Sequence, residues 1–204
     1  LPPQKQNSEL NDNAQKEIVS IKKLISNEQI TLAKEKLAEF LKTYSSTKFA
    51  SSARKLNQEI SIIGMDIPTD WGIEMWFQGK DGINLKEPST TLVLFWETWC
   101  GYCRREAPKI QKIYTDYKDK GLQVIGLTKV NRSATPETVI EFIKENAITY
   151  PIAREDGSMT QYFKVRGIPA AALISNNKIV WRGNPARLPE QLVKKYLDMQ
   201  VQTQ

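Results

Sequence analysis

The spacing of apolar residues changes character near residue 64. From Leu10 onward, Ala14, Ile18, Ile21 and Ile25 recur at intervals of four, three and four, which places them on one face of an α-helix. Ser26 or Asn27 then offers an N-cap, and Ile30, Ala33, Leu37, Phe40, Leu41 and Tyr44 form a second apolar face. After TYSST, a third face is made by Phe49, Ala53, Leu56, Ile60 and Ile63. The spacing therefore predicts three amphipathic helices within residues 9–63. The polar, proline-bearing stretch at 1–8 is expected to be disordered. GMDIPTD at 64–70 sets Gly, Pro and Asp between two periodic regions and reads as a linker.

Residues 71–200 follow a different rhythm. WGIEMWF and INLKE flank the turn GKDG and predict a hairpin. TTLVLFW is a continuous apolar run, as in a strand covered on both faces. LQVIGLT, the short YPIA, AAALIS and KIVWRG read as further strands, the last two joined at Asn176 and Asn177, where Asn tolerates positive φ. Helices are expected after the first strand of this series, over TPETVIEFIKENA, over DGSMTQYFKV and over LPEQLVKKYLDM. The predicted order is β-α-β-α-β followed by β-β-α, an α/β fold behind a small all-α domain.

Composition narrows the function classes. The chain has 204 residues, 40% of them hydrophobic, and no apolar run near the ~18 residues a bilayer crossing needs. It opens on Leu1 with no basic and apolar leader, so a targeting signal is expected to have been removed. The net charge of +6 is spread evenly: residues 1–63 carry 10 Lys and Arg against 7 Asp and Glu. Acids are interleaved throughout, and no nucleic-acid-reading motif accompanies the charge, so no nucleic-acid partner is expected.

The two cysteines carry the chemistry. Cys100 and Cys103 sit in WETWCGYCRREAP, at the junction of the strand TTLVLFW and a helix starting near Gly101. A helix N-terminus presents unpaired N–H groups and a positive dipole end, both of which favour thiolate over thiol. Cys100 is expected to be the exposed nucleophile and Cys103, one turn on, the resolving thiol. Structural zinc needs four N or S ligands, and a chain with two cysteines and no histidine cannot supply them, so no metal and no cofactor are expected. A permanent structural bridge would close only a four-residue loop and so remove little unfolded-state entropy. Redox work is the favoured reading.

These residues also carry a family resemblance. Phe95, Trp96, Thr98, Trp99, Cys100, Cys103, Glu106 and Pro108 resemble the active-site region of thioredoxin-fold thiol-disulfide oxidoreductases of the TlpA/ResA type, and VRGIPAAALI resembles that family's Gly-X-Pro loop. The likeness runs over about residues 66–199. It implies a thioredoxin fold with a TlpA-like hairpin and a cis peptide before Pro169. It also implies an Ile168 backbone that pairs with an extended substrate segment by strand addition. Trp99, Gly101 and Tyr102 complete the expected substrate surface. Glu106 is implied to lie near the cysteines and to influence their proton transfers. The expected partners are disulfide-bearing proteins and a membrane electron donor of the DsbD or CcdA type, in a periplasmic or other extracytoplasmic bacterial compartment.

Several positions depart from the pattern. Leu94 stands where thioredoxin itself carries a buried Asp, and Glu97, where a small residue is commoner, reads as a surface charge. Arg104, Arg105 and Lys129 are candidates for lowering the thiol pKa through proximity. Gly101-Tyr102 also occurs between the cysteines of DsbC-type disulfide isomerases, which oligomerise through an N-terminal domain. An oligomeric isomerase is therefore the second reading, and a redox-silent scaffold protein the third. LAEFLKTYSSTKFASSARKL resembles one tetratricopeptide-like helical hairpin, and an apolar stripe left over within 9–63 would suit a homo-oligomer.

Overall fold

The computed structural model describes residues 3–129, 131 and 134–202. By its internal contacts the chain divides into two compact units, residues 1–63 and 64–204.

The first unit is three helices, α1 (Pro3–Ser26), α2 (Ile30–Thr43) and α3 (Ala50–Ile60). Ala14, Ile18 and Ile21 of α1 meet Ala33, Leu37 and Phe40 of α2 and Ala53, Leu56 and Ile60 of α3 in one buried cluster. Each is a member of a face set by the 3.6-residue period, and burying a side chain such as Leu37 stabilises the bundle by about 1.5–3 kcal/mol. Two local expectations differ from what is observed. Residues 3–8, expected to be disordered, form the opening turns of α1. Proline is tolerated in a first helical turn, and extending an existing helix costs far less than nucleating one. Neither Ser26 nor Asn27 caps α2. Gln29 holds the N-cap position without a side-chain bond, while the Ser26 hydroxyl donates back to the Lys23 carbonyl at 2.9 Å.

The second unit is built on one six-stranded sheet. Its strands are β1 (Ile73–Gln78), β2 (Thr90–Phe95), β3 (Leu122–Thr128), β4 (Ile152–Glu155), β5 (Ala170–Ser175) and β6 (Lys178–Gly183), and their order across the sheet is β1-β4-β3-β2-β5-β6. The strands β2, β3 and β4 are parallel, while β1, β5 and β6 run antiparallel to their neighbours. Parallel strands need crossovers, supplied here by α4 (Gly101–Tyr117) and α5 (Pro136–Glu145). The short α6 (Ser158–Tyr162) follows β4, and α7 (Glu190–Gln202) closes the unit. Every residue of β2 is buried, as its unbroken apolar run predicts. The β5–β6 turn falls at Asn176 and Asn177, both at positive φ.

The hairpin expected between WGIEMWF and INLKE is not formed. β1 pairs with β4 instead, and among the described residues 83–87 hold no strand. The backbone at Asn84 is bonded to a side chain, with Gln123 Oε1 accepting from its N–H at 2.6 Å and Gln123 Nε2 donating to its carbonyl at 3.0 Å. Residues 64–67, read as linker, lie alongside β6. Gly64 N–H donates to the Ile179 carbonyl at 2.7 Å, Ile179 N–H to Met65 at 3.0 Å and Ile67 N–H to Asn177 at 2.9 Å.

Candidate active site

β2 ends at Phe95 in the middle of the sheet, and the chain turns through Trp96 to Trp99 into α4. Cys100 is the N-cap of α4 in extended conformation, and its sulfur accepts the Cys103 N–H at 3.1 Å. This bond satisfies one of the four N–H groups a helix start leaves open. The two sulfurs are joined in a disulfide. Cys103, Ala107, Ile110, Ile113 and Tyr117 recur at helical spacing and are the buried face of α4. The sequence places the pair where the strand's apolar run stops and the helix's apolar stripe begins.

Cys100 was expected to be exposed, yet only 4% of its surface is. The reason is local: its sulfur is both bonded to Cys103 and turned into the N-cap position, so it lies within the apolar cluster that β2, β5 and α4 share. Its neighbours are the exposed groups. Trp99 and Tyr102 are 61% and 68% exposed, and Gly101 is exposed between the cysteines.

Behind the disulfide lies a small cavity lined by Cys103, Glu106, Ile110, Phe142, Tyr150 and Pro169, among others, with room for about 20 Å³. That is space for about one water molecule. Glu106, one turn beyond Cys103, is half-buried and faces this cavity. Burial raises the Tyr150 phenol well above its ordinary pKa, so it stays neutral there. The Ile168–Pro169 peptide is cis, and Pro169 borders the cavity that Cys103 also lines.

On the other side of Trp96 is a wider groove of about 450 Å³, whose lining includes Trp99, Leu127, Lys129, Arg166 and Ile168. Glu97 lies at its edge and is not a free surface charge, since its carboxylate accepts the Trp99 indole N–H and the Asn131 amide at 3.4 Å. The candidate arginines are engaged elsewhere. Arg104 pairs with Glu145 at 2.6 Å and lies over the Phe142 ring, and Arg105 lies 4.1 Å from the Tyr102 ring centroid. Among the described residues no cluster of three or more His, Cys, Asp or Glu could hold a metal ion, and no helix is long and apolar enough to cross a membrane.

Residues 83–198, from before β2 to within α7, match the family model described as Redoxin. The chain belongs to the Redoxin family. This redoxin is 27% identical over 106 residues to the thiol-disulfide oxidoreductase ResA of Halalkalibacterium halodurans, a stretch covering 52% of this chain and 58% of that protein. It is 26% identical over 99 residues to the sporulation thiol-disulfide oxidoreductase A of Bacillus subtilis, covering 48% of this chain and 60% of that protein. The chain thus spans less than two thirds of the length of either relative. A thiol-disulfide isomerase structure from Corynebacterium glutamicum superposes with a TM-score of 0.55 at 21% identity, covering 67% of this chain and 95% of that one. This last likeness concerns the thioredoxin-type fold alone. The ResA-type resemblance read from residues 95–108 and 165–174 therefore holds, and so does the α/β thioredoxin fold behind an N-terminal helical unit.

Sequence reasoning did not find the redoxin's Tyr150 and Phe142, which reach the site from separate elements and carry no local motif. Arg166 was legible only as a neighbour of the Gly-X-Pro loop. Glu155 and Arg182 were also missed. The Glu155 carboxylate accepts from Gly157 N–H at 2.6 Å, Met159 N–H at 3.1 Å and the Thr160 hydroxyl, which holds the start of α6. The buried Arg182 guanidinium donates to the carbonyls of Phe163 at 2.9 Å and Lys164 at 3.4 Å, just upstream of the cis-proline loop.

Proposed function

We propose that this redoxin carries out thiol-disulfide exchange on protein substrates in an extracytoplasmic compartment, as a reductant. The observation that carries the reading is the bonded Cys100–Cys103 pair closed across the first turn of α4, with Cys100 at the N-cap. In the reduced protein the Cys100 thiolate, favoured by the helix start, attacks a substrate disulfide. A Cys100–substrate disulfide forms, and one substrate sulfur leaves as thiolate and takes up a proton. The Cys103 thiolate then attacks the Cys100 sulfur, closing the observed bond and releasing the second substrate thiolate. Two electrons and two protons pass to the substrate, and in this reading Glu106, which lines the same cavity as Cys103, takes the Cys103 proton. A dithiol donor must restore the pair, in this reading a membrane protein of the DsbD or CcdA type. Trp99, Gly101, Tyr102, Ile168 and Pro169 form the substrate surface.

Insulin reduction tests the reading: the wild-type protein accelerates it and Cys100→Ser is silent. Binding of a protein partner that survives Cys100→Ser, with no insulin turnover by the wild type, would favour a scaffold. Scrambled-ribonuclease refolding without net reduction, together with a potential near ~−180 mV rather than ~−270 mV, would favour the isomerase. Self-association through residues 9–63 belongs to the isomerase reading, and sedimentation of the protein with and without those residues measures it.

A further inference from the structure

The groove lined by Trp99, the residue before Cys100, and by Ile168, the residue before cis-Pro169, contains two acids and two bases, and they are not equivalent. Glu155 is 4% exposed and its carboxylate is spent on two backbone N–H groups and the Thr160 hydroxyl. Glu97 is held by the Trp99 indole and by Asn131. Among the described residues, neither Lys129, half-buried just after β3, nor the exposed Arg166 has a side-chain ion-pair or hydrogen-bond partner. The rest of the lining is largely apolar, with Phe95, Trp99, Leu127, Val165 and Ile168. A groove of ~300–1,000 Å³ with an apolar lining and few unspent polar groups has the character of a ligand cleft. Its unspent hydrogen-bonding charged groups are both cations.

Resting on the exchange reading, we propose that Lys129 and Arg166 select the substrate: this groove takes an extended protein segment bearing a carboxylate side chain close to its reactive cysteine. The apolar lining accommodates the segment without regard to sequence. The two cations supply the discrimination, because a lysine placed against them meets like charge while a glutamate meets donors that no side chain of the groove has engaged. Lys129 and Arg166 come from different elements, one after β3 and one in the loop before cis-Pro169, so both border the groove that Trp99 and Ile168 also line. The acids of the groove are turned to neutral donors, Glu97 to Trp99 and Asn131 and Glu155 to the start of α6, and pair with neither cation.

The test uses the full-length reduced protein and two symmetric peptide disulfides, identical except for Glu or Lys two residues from the cysteine. The second-order rate of protein oxidation by each peptide is divided by the rate at which dithiothreitol reduces that peptide, which removes differences in the peptides' own reactivity. At low ionic strength the normalised rate for the Glu peptide is expected to exceed that for the Lys peptide by roughly ten-fold, falling toward parity near ~1 M salt. The ratio should fall to near one in Lys129→Gln/Arg166→Gln. It should persist in Lys16→Gln/Lys22→Gln, which removes the same charge from the exposed side of α1. A ratio near one in the wild-type protein, or an equal fall in both double variants, would overturn the selection. Failure of both peptides to oxidise the protein would remove the exchange reading, and this inference with it.

Discussion

At the scale of single residues, position in the fold decides what a side chain can do. Cys100 and Cys103 are the same residue type three apart, yet one caps the helix between exposed neighbours and the other lines the small cavity with Glu106 and Ile110. After reduction, iodoacetamide at neutral pH is therefore expected to modify Cys100 at least about ten-fold faster than Cys103, read by peptide mass mapping. Equal rates would remove the assignment of nucleophile and resolving thiol. Gly126 is fixed by contact. A Cβ there would stand 2.6 Å from Ile152 Cδ1 and 2.8 Å from Trp96 Nε1. Gly126→Ala should cost about 1–3 kcal/mol in urea unfolding and disturb the stacking of Trp96 on Phe142. The cysteine motif was legible in the sequence because it is local. The need for glycine at 126 was not, since it arises from residues 26 positions downstream and 30 upstream.

Among the elements, those with one dominant period were read closely. β3, β5 and β6 occupy the stretches LQVIGLT, AAALIS and KIVWRG, each a short stretch with an apolar centre, the last two joined at the Asn176–Asn177 turn. The second arm of the hairpin failed because INLKE has alternation but no partner, and the side chain of Gln123 takes the hydrogen bonds that a strand would have made. Buried polar anchors were equally illegible. Arg182 sits near the end of β6, where a lone arginine reads as an outward-facing charge, but the residue is only 7% exposed and its guanidinium donates to the carbonyls that follow α6. Replacing it with methionine keeps much of the volume and leaves those carbonyls without the guanidinium. Arg182→Met should destabilise the second unit by about 2–4 kcal/mol, measured by denaturant unfolding. Faster amide exchange at Lys164–Gly167 should accompany it. A loss of stability with no change in exchange there would show that Arg182 does not hold the loop before Pro169.

Over the whole molecule, stability gathers contributions from contacts that no window of sequence contains. Tyr117 at the end of α4 donates its phenol to Glu190 in the first turn of α7 at 2.6 Å, across 73 positions. The hydrogen bond to the carboxylate, with burial second, pushes this tyrosine up to about 12 from its ordinary 10. The sign follows from which form is bonded. Only the neutral phenol donates, so the folded state prefers the protonated tyrosine and the contribution is complete below about pH 10. It is lost as pH rises through about 12, where ionisation would place phenolate against carboxylate. Tyr117→Phe should therefore cost about 1–2 kcal/mol at neutral pH, the value of a hydrogen bond to a charged acceptor near the surface. It should cost progressively less between pH 10 and 12, so that wild type and variant converge in thermal melts at the alkaline end. A difference that stays constant across that range would mean the ring's packing, rather than its proton, joins α4 to α7.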